Sequence, residues 1–240
     1  MALVHGKDAA VLMGAYSLTP YLQSADTNVD IDIPDTTTFG NTARQRDVVG
    51  LIDGKASMSG LWDGAAGACH ELFISLVGTA NASVLSIARN GWTVGNTVEL
   101  LSVRQMSYKV TSPVDGVCAI SVETVGDGGV AFGVSLHALS AETSDTNSSS
   151  VDNSAGTSNG GIGHIHLTAL SGSSTPTLNA KIQHSTDNSS WSDLITFTAL
   201  TAVGSERKTV SGTVNRYTRS LWTMTGSSLS FTFQIGFART

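Results

Sequence analysis

The sequence predicts a mainly β protein, on three observations. Apolar and polar residues alternate with a period of two along several short segments, turn-forming residues separate those segments, and only one stretch repeats at helical spacing. The composition agrees. Of the 240 residues 40% are hydrophobic and only 13% charged. Serine, threonine, glycine and asparagine fill the gap, which suits strands joined by tight turns. Scarce charge also suits a surface buried against other copies, because the cores of obligate interfaces are depleted in charged residues. The length allows one large domain or two ordinary ones.

Val29, Ile31 and Ile33 alternate with Asn28, Asp30 and Asp32, giving a strand with one wet acidic face that Pro34 ends. A threonine run, a Phe-Gly break and a polar stretch with Arg44 and Arg46 follow. Residues 55–62 then alternate again. A connection of roughly twenty residues without apolar period is longer than usual, so it is either disordered or docked on something. Phe39, Val48, Val49, Leu51 and Ile52 favour docking.

Residues 67–79 read as the one helix: Cys69, Leu72, Phe73, Leu76 and Val77 share a face and Gly78 ends it. Strands resume at Met106, Tyr108 and Val110, at Cys118, Ile120 and Val122, and from Val130 through Phe132 and Val134 to Leu136. This is the content of a small β-sandwich or barrel, the helix covering an open flank. From 143 to 163 apolar residues nearly vanish, and serine, asparagine and glycine mark a linker. The expected division is therefore a β-domain at 1–142, a linker at 143–163 and a C-terminal β-sandwich at 164–240. In the last part Leu178, Ala180, Ile182 and His184 alternate with polar residues, and Leu229, Phe231, Phe233, Ile235 and Phe237 mark a central strand.

Formal net charge is −6, unevenly spread: 16 acidic and 7 basic residues up to position 160, then 3 acidic and 6 basic. An acidic first part argues against a protein that clamps phosphates, which needs a basic stripe. It suits a surface past which DNA slides, or self-assembly between acidic and basic faces. Cys69 and Cys118 are too few for a disulfide scaffold and read as free core thiols of a protein folded in a reducing cytosol. The N-terminus lacks the apolar core of a signal peptide, and no run approaches the ~18 apolar residues of a membrane helix.

Catalytic, cofactor and metal residues are expected to be none. His164 and His166 share one side of a strand, but a metal site needs further ligands, for which only His184 and Asp187 offer themselves; an interface or pore-lining pair is the better reading. Cys69 and His70 are adjacent on a helix and so face about 100° apart, which leaves Cys69 a buried thiol. The glycines at 156–163 lack the Lys-[Ser/Thr] of a phosphate loop. Asp30 and Asp32 have polar neighbours, unlike a glycosidase pair. Trp191 and Trp222 offer a sugar-stacking reading against a core-packing one.

The order of HGKDAAVLM, YSLTPYL, TTTFG, GLIDGKASMSGLWDG and HELFISLVG over residues 1 to about 80 resembles the tail tube (major tail) proteins of long-tailed, siphovirus-like bacteriophages. The resemblance implies a tail-tube-type β-sandwich or barrel with one flanking helix and a long loop. It implies a non-enzymatic virion protein, made in the host cytoplasm, that stacks rings into a conduit for DNA. The partners implied are the chain itself, as hexamers or as trimers with pseudo-six-fold symmetry, and the tape measure, terminator and distal tail proteins. DNA would pass without specific binding, and no membrane is involved. The loop at 35–52 becomes the inter-subunit arm, with contact residues Thr36, Thr37, Thr38, Phe39, Gly40, Arg44, Arg46, Val48, Val49 and Leu51. Phe39 would be its anchor and the two arginines its ion-pair donors. Asp26, Asp30 and Asp32 would face the lumen. The C-terminal part would be either an outer decoration or a second tube-like copy. The alternative is a carbohydrate- or receptor-binding module of the tail tip.

Overall fold

A computed structural model describes residues 3–46 and 48–240. After a single 3-10 turn at Gly6–Asp8 the chain forms β1 (Ala10–Met13), β2 (Tyr16–Ser17), β3 (Leu22–Ile31), β4 (Ile52–Leu61), α1 (Cys69–Ser75), β5 (Ser83–Ala88), β6 (Thr97–Thr111), β7 (Ala119–Gly126) and β8 (Ala131–Glu142). It continues through β9 (Thr146–Asn147), β10 (Val151–Asp152), β11 (Gly161–Ser185), β12 (Ser192–Thr196), β13 (Gly204–Val210) and β14 (Tyr217–Arg239). Among the described residues these strands pair antiparallel throughout. The protein is mainly β, as the sequence predicts.

One core lies between the inner faces of β1, β5 and β6 and those of β4 and β7. Val11, Met13, Leu85, Ile87, Leu101 and Val103 meet Ala56, Met58, Ile120 and Val122 there. The alternation at 55–62 is the cause: Gly54, Ala56, Met58 and Gly60 turn inward and the residues between them do not. Helix α1 closes the flank with Cys69, Leu72 and Phe73. It is shorter than the expected 67–79. Past Leu76 the chain leaves the helix through 3-10-type bonds and Gly78 takes a φ of 75°, so Val77 points to solvent and not along the apolar face. Met106 likewise departs from its expected inward place. A register shift between Gln105 and Ser107 flips the alternation, leaving Tyr108 on the core and Met106 exposed.

The second core belongs to β11 and β14, which pair along their length from Gly161↔Arg239 to Ser185↔Tyr217. Register shifts between Leu167 and Thr177, and positive φ at Gly172, Ser174, Thr175, Gly226 and Ser228, mark where this ribbon doubles over. Its two halves thereby face each other. Trp222 and Phe233, eleven positions apart on β14, lie 5.4 Å apart ring to ring. Ile165, Leu167, Phe231 and Phe233 pack on Leu178, Ala180, Ile182 and Trp222. The run at 143–163 is laid along β14: β9 and β10 pair with it, Ser148 is buried, and the Trp222 indole donates to the Ser144 carbonyl at 3.1 Å.

Strand β8 joins the two, pairing with β6 through residues 131–134 and with β14 through residues 134–142. The far face of β1, β5 and β6 (Ala10, Leu12, Ala88, Val98, Leu100) is thereby set against β14 at Ala238 in a third, smaller apolar cluster.

Candidate subunit-contact arm

The inner face of β3 begins as core and ends in solvent. Ala25 packs against the first core, Thr27 sits at its lip, and Val29, Ile31 and Ile33 continue the same face with 36–48% of their surface exposed. Across the hairpin Val29 pairs with Gly54 and Ile31 with Ile52, itself 52% exposed. The apolar stripe of β3 therefore runs on beyond the sandwich into solvent, while on β4 the turn at Gly129 and Val130 comes up against Gly54 and one side of Ile52. The strand ladder continues too: Asp32 N–H donates to Leu51 O at 2.9 Å, and Thr36 N–H to Gln45 O at 3.0 Å.

The tip is ordered locally. Asp35 accepts from the Thr37 amide and hydroxyl, which hold its carboxyl below the usual carboxylate range. The Thr37 hydroxyl takes the Gln45 amide at 3.0 Å, and Asn41 bridges Thr38 and Gln45. Gly40 turns the chain at a φ of 101°. Phe39 stands wholly in solvent, and Val48, Val49 and Leu51 are exposed. Arg44 reaches Asp35 at 3.8 Å and is otherwise in water, as is Arg46. Thr36 is half-buried and Thr38 exposed. Thus the ten residues expected from sequence fall on one protruding hairpin. Sequence reasoning did not mark Val29, Ile31 and Ile33 as members of that surface. Their alternation announces a strand face, but not that the core stops at Thr27.

Asp26, Asn28 and Asp30 occupy the other face of β3. Through the register Asp26↔Ser57↔Glu123 and Asp30↔Asp53 they share it with two more carboxylates. Lys55 is the basic member of this group, 2.8 Å from Asp30 and 3.6 Å from Asp53, and its ammonium lowers the Asp30 pKa, with help from Asn28. Asp32 is exposed beyond β3. A shallow groove of about 360 Å³ runs between Asp26, Lys55, Met106 and Glu123.

The remaining sequence candidates resolve as structural groups. His164 and His166 are fully buried, so the pore-lining or interface reading is corrected: they lie inside the chain, between β11 and the β1–β5 layer. The Gly14 carbonyl only accepts, so His166 carries its proton on Nδ1 and donates at 2.8 Å. The Ser86 hydroxyl must then donate to His166 Nε2 (2.8 Å) and accept from His164 Nδ1–H (3.1 Å). His164 Nε2 has no hydrogen-bond partner among the described residues. Burial drives both imidazoles towards the neutral form: His166 to about 4 and His164 well below its ordinary value, the latter also through His166 and Arg207. No group of three or more His, Cys, Asp or Glu is placed to hold a metal among the described residues. Neither His184 nor Asp187 joins the pair: His184 accepts from the Asn215 amide, and Asp187 accepts from the Ser189 and Ser190 amides.

Cys69 is buried, its thiol set against the Leu61 and Asp63 carbonyls and its pKa pushed up by desolvation. His70 turns instead to the Tyr108 hydroxyl at 2.8 Å. Trp222 is 3% exposed in the second core and offers no sugar platform. Trp191 is partly exposed with one face covered by the Arg219 guanidinium at 4.1 Å. Among the described residues no helix is long and apolar enough to cross a membrane.

No protein-family profile and no curated protein matches the chain. Among solved structures it is similar to a chain of the native gene transfer agent virion, at 12% identity and a TM-score of 0.45, over 54% of this chain and 98% of that one. It is similar to the SPP1 tail tube protein at 12% identity and a TM-score of 0.43, over 54% and 78%. It is also similar to the SPP1 Dit protein, described as a hub of the adsorption apparatus in phages infecting Gram-positive hosts, at 11% identity and a TM-score of 0.40, over 96% and 98%.

Proposed function

We propose that the chain is a non-enzymatic structural subunit of a phage tail, assembling with its own copies into stacked rings around a DNA channel. The observation that carries this reading is the arm, whose core-facing apolar stripe outlasts the core. Apolar stripes of that kind, exposed on an ordered hairpin, mark interaction surfaces. Val29, Ile31 and Ile33 stay exposed, and a partner that buried such a side chain fully would gain about 1.5–3 kcal/mol for each. Docking the arm on a different surface of a second copy is a heterologous contact, and such a contact propagates into a ring or filament.

The sequence resemblance over residues 1 to about 80 supports the same reading. On this view the subunit resides in the virion tail. Residues 1–142 form the tube wall, 143–163 bind the join, and 164–240 are an outer addition fastened by β8. Asp26, Asp30 and Asp32, with Asp53 and Glu123, would line the lumen, where like charge keeps DNA from sticking. Hexameric rings, or trimers with pseudo-six-fold symmetry, and contacts with tape measure, terminator and distal tail proteins follow from the resemblance.

Negative-stain electron microscopy of the concentrated protein tests it. Striated tubes or rings are expected from the full chain. A chain lacking residues 33–50 is expected to stay folded and monomeric. Normal tubes from the shortened chain would overturn the arm mechanism.

A further inference from the structure

At the lip of the first core a guanidinium meets the free edge of β3. Arg89 follows the last residue of β5, and Glu99, 8% exposed, lies on β6 opposite Ile87, two positions before Arg89. The two form a bidentate pair: Arg89 Nε donates to Glu99 Oε1 and Nη2 to Oε2, each at 2.8 Å. The same guanidinium reaches over to β3. Its Nη2 donates to the Thr27 hydroxyl at 2.9 Å and its Nη1 to the Ala25 carbonyl. The Thr27 hydroxyl in turn donates to Glu99 Oε2 at 2.8 Å.

Among the described residues strand β3 pairs only with β4, so its other edge presents backbone groups outside any ladder. Arg89 satisfies one of them, and it does so at Ala25 and Thr27, where the core ends and the exposed stripe begins. Among the described residues these bonds to Ala25 and Thr27 are the hydrogen bonds that tie β3 to the β5–β6 layer.

We propose that Arg89, oriented by Glu99, is a positioning residue that sets the angle at which the arm leaves the body. The proposal rests on the reading of the arm as a subunit contact for its purpose, but not for its geometry. A two-stranded ribbon anchored through one strand pair pivots about that pair. Tying β3 to the opposite layer removes the pivot. The bidentate fork fixes direction as well as distance, which a lysine ammonium does not. Glu99, nearly buried, holds the fork in place, so that the arm's root is rigid before any partner arrives.

Spin labels at Thr38→Cys on the arm and Lys109→Cys on the body, in a Cys118→Ser background kept dilute enough to remain monomeric, read the angle directly. The parent is expected to give a single narrow distance distribution. Arg89→Lys is expected to lose it, replaced by a broad one, with an unchanged circular dichroism spectrum. Because Arg89→Ala strands a buried carboxylate and endangers folding, the paired variant Arg89→Met/Glu99→Leu removes both charges together. Thr27→Val removes only the hydroxyl link. Broadening in these two variants supports the proposal; parent-like distributions in both overturn it. Tube formation by each variant is scored separately. A broadened arm that still builds normal tubes would leave the clamp standing and remove its part in assembly. Tubes from a chain lacking the arm would instead sink the arm reading alone.

Discussion

Lowering the pH from 8 to 5 should destabilise the fold, and the His164–Ser86–His166 chain says by how much. In the unfolded chain an imidazole takes up its proton near pH 6.5. In the folded protein His166 holds off protonation to about pH 4, because burial penalises the charge. The folded pKa is depressed for a base, so the unfolded state binds more protons between those values, and stability falls as pH falls through 6.5 towards 4. Above pH 6.5 it is fully present. At pH 5 His166 alone should have removed about 2 kcal/mol, a large part of the 5–15 kcal/mol typical of a domain. His164, lowered further still, acts in the same direction over the same window. Protonating His166 also breaks the donor order, since its Nε2 is the acceptor of the Ser86 hydroxyl hydrogen, whereas protonating His164 places a buried N–H at Nε2. The paired carboxylates Asp152 and Asp193 lose their contribution lower down, as pH falls through their own lowered values; His137 and His184, also lowered by burial, act in this window in parent and variant alike and so cancel between them. The assay is urea unfolding followed by tryptophan fluorescence at pH 8, 6 and 5, on the parent and on His166→Asn, whose amide can still donate to the Gly14 carbonyl. The variant should lose about 2 kcal/mol less between pH 8 and pH 5. Equal losses in the two proteins, or a His166 resonance titrating near 6.5 by NMR, would refute the account.

Three further outcomes follow from the same structure. Ile33→Asp combined with Leu51→Asp should leave unfolding within about 0.5 kcal/mol of the parent, since both side chains are exposed, while abolishing tubes in the microscope. Gly133→Ala should cost about 1–3 kcal/mol by thermal unfolding, because a Cβ there would stand 2.2 Å from the Phe237 carbonyl and push β8 off β14. Iodoacetamide at neutral pH should label one thiol per native chain, at half-buried Cys118, and reach Cys69 only in denaturant; rapid double labelling would contradict the burial and raised pKa of Cys69.

Local period makes much of this molecule legible in advance. Residues 55–62 and 229–237 announce their inward faces, and those faces pack accordingly, because a strand's alternation is fixed by its own backbone. The helix is legible but its end is not, since Val77 keeps the apolar spacing while Gly78 and the 3-10 bonds before it end the regular turn. Met106 departs for a different reason: a bulge shifts the phase of alternation, and nothing in the residues at 104–108 declares it. His164 and His166 have the same face in sequence as in structure. Their burial depends on Ser86 and Gly14, some 80 and 150 positions away.

By itself the sequence determined that the chain is β-rich, that a long apolar-bearing loop interrupts its first part, and which residues of each strand share a side. These are properties of one or two turns of backbone and its side-chain period. Only the tertiary structure decided where each core stops. That boundary turns Val29, Ile31 and Ile33 from core into arm, turns Trp222 from platform into core, and places Arg89 against the edge of β3. Each depends on which distant strand lies opposite, and that is settled by the packing of whole layers and not by any local pattern.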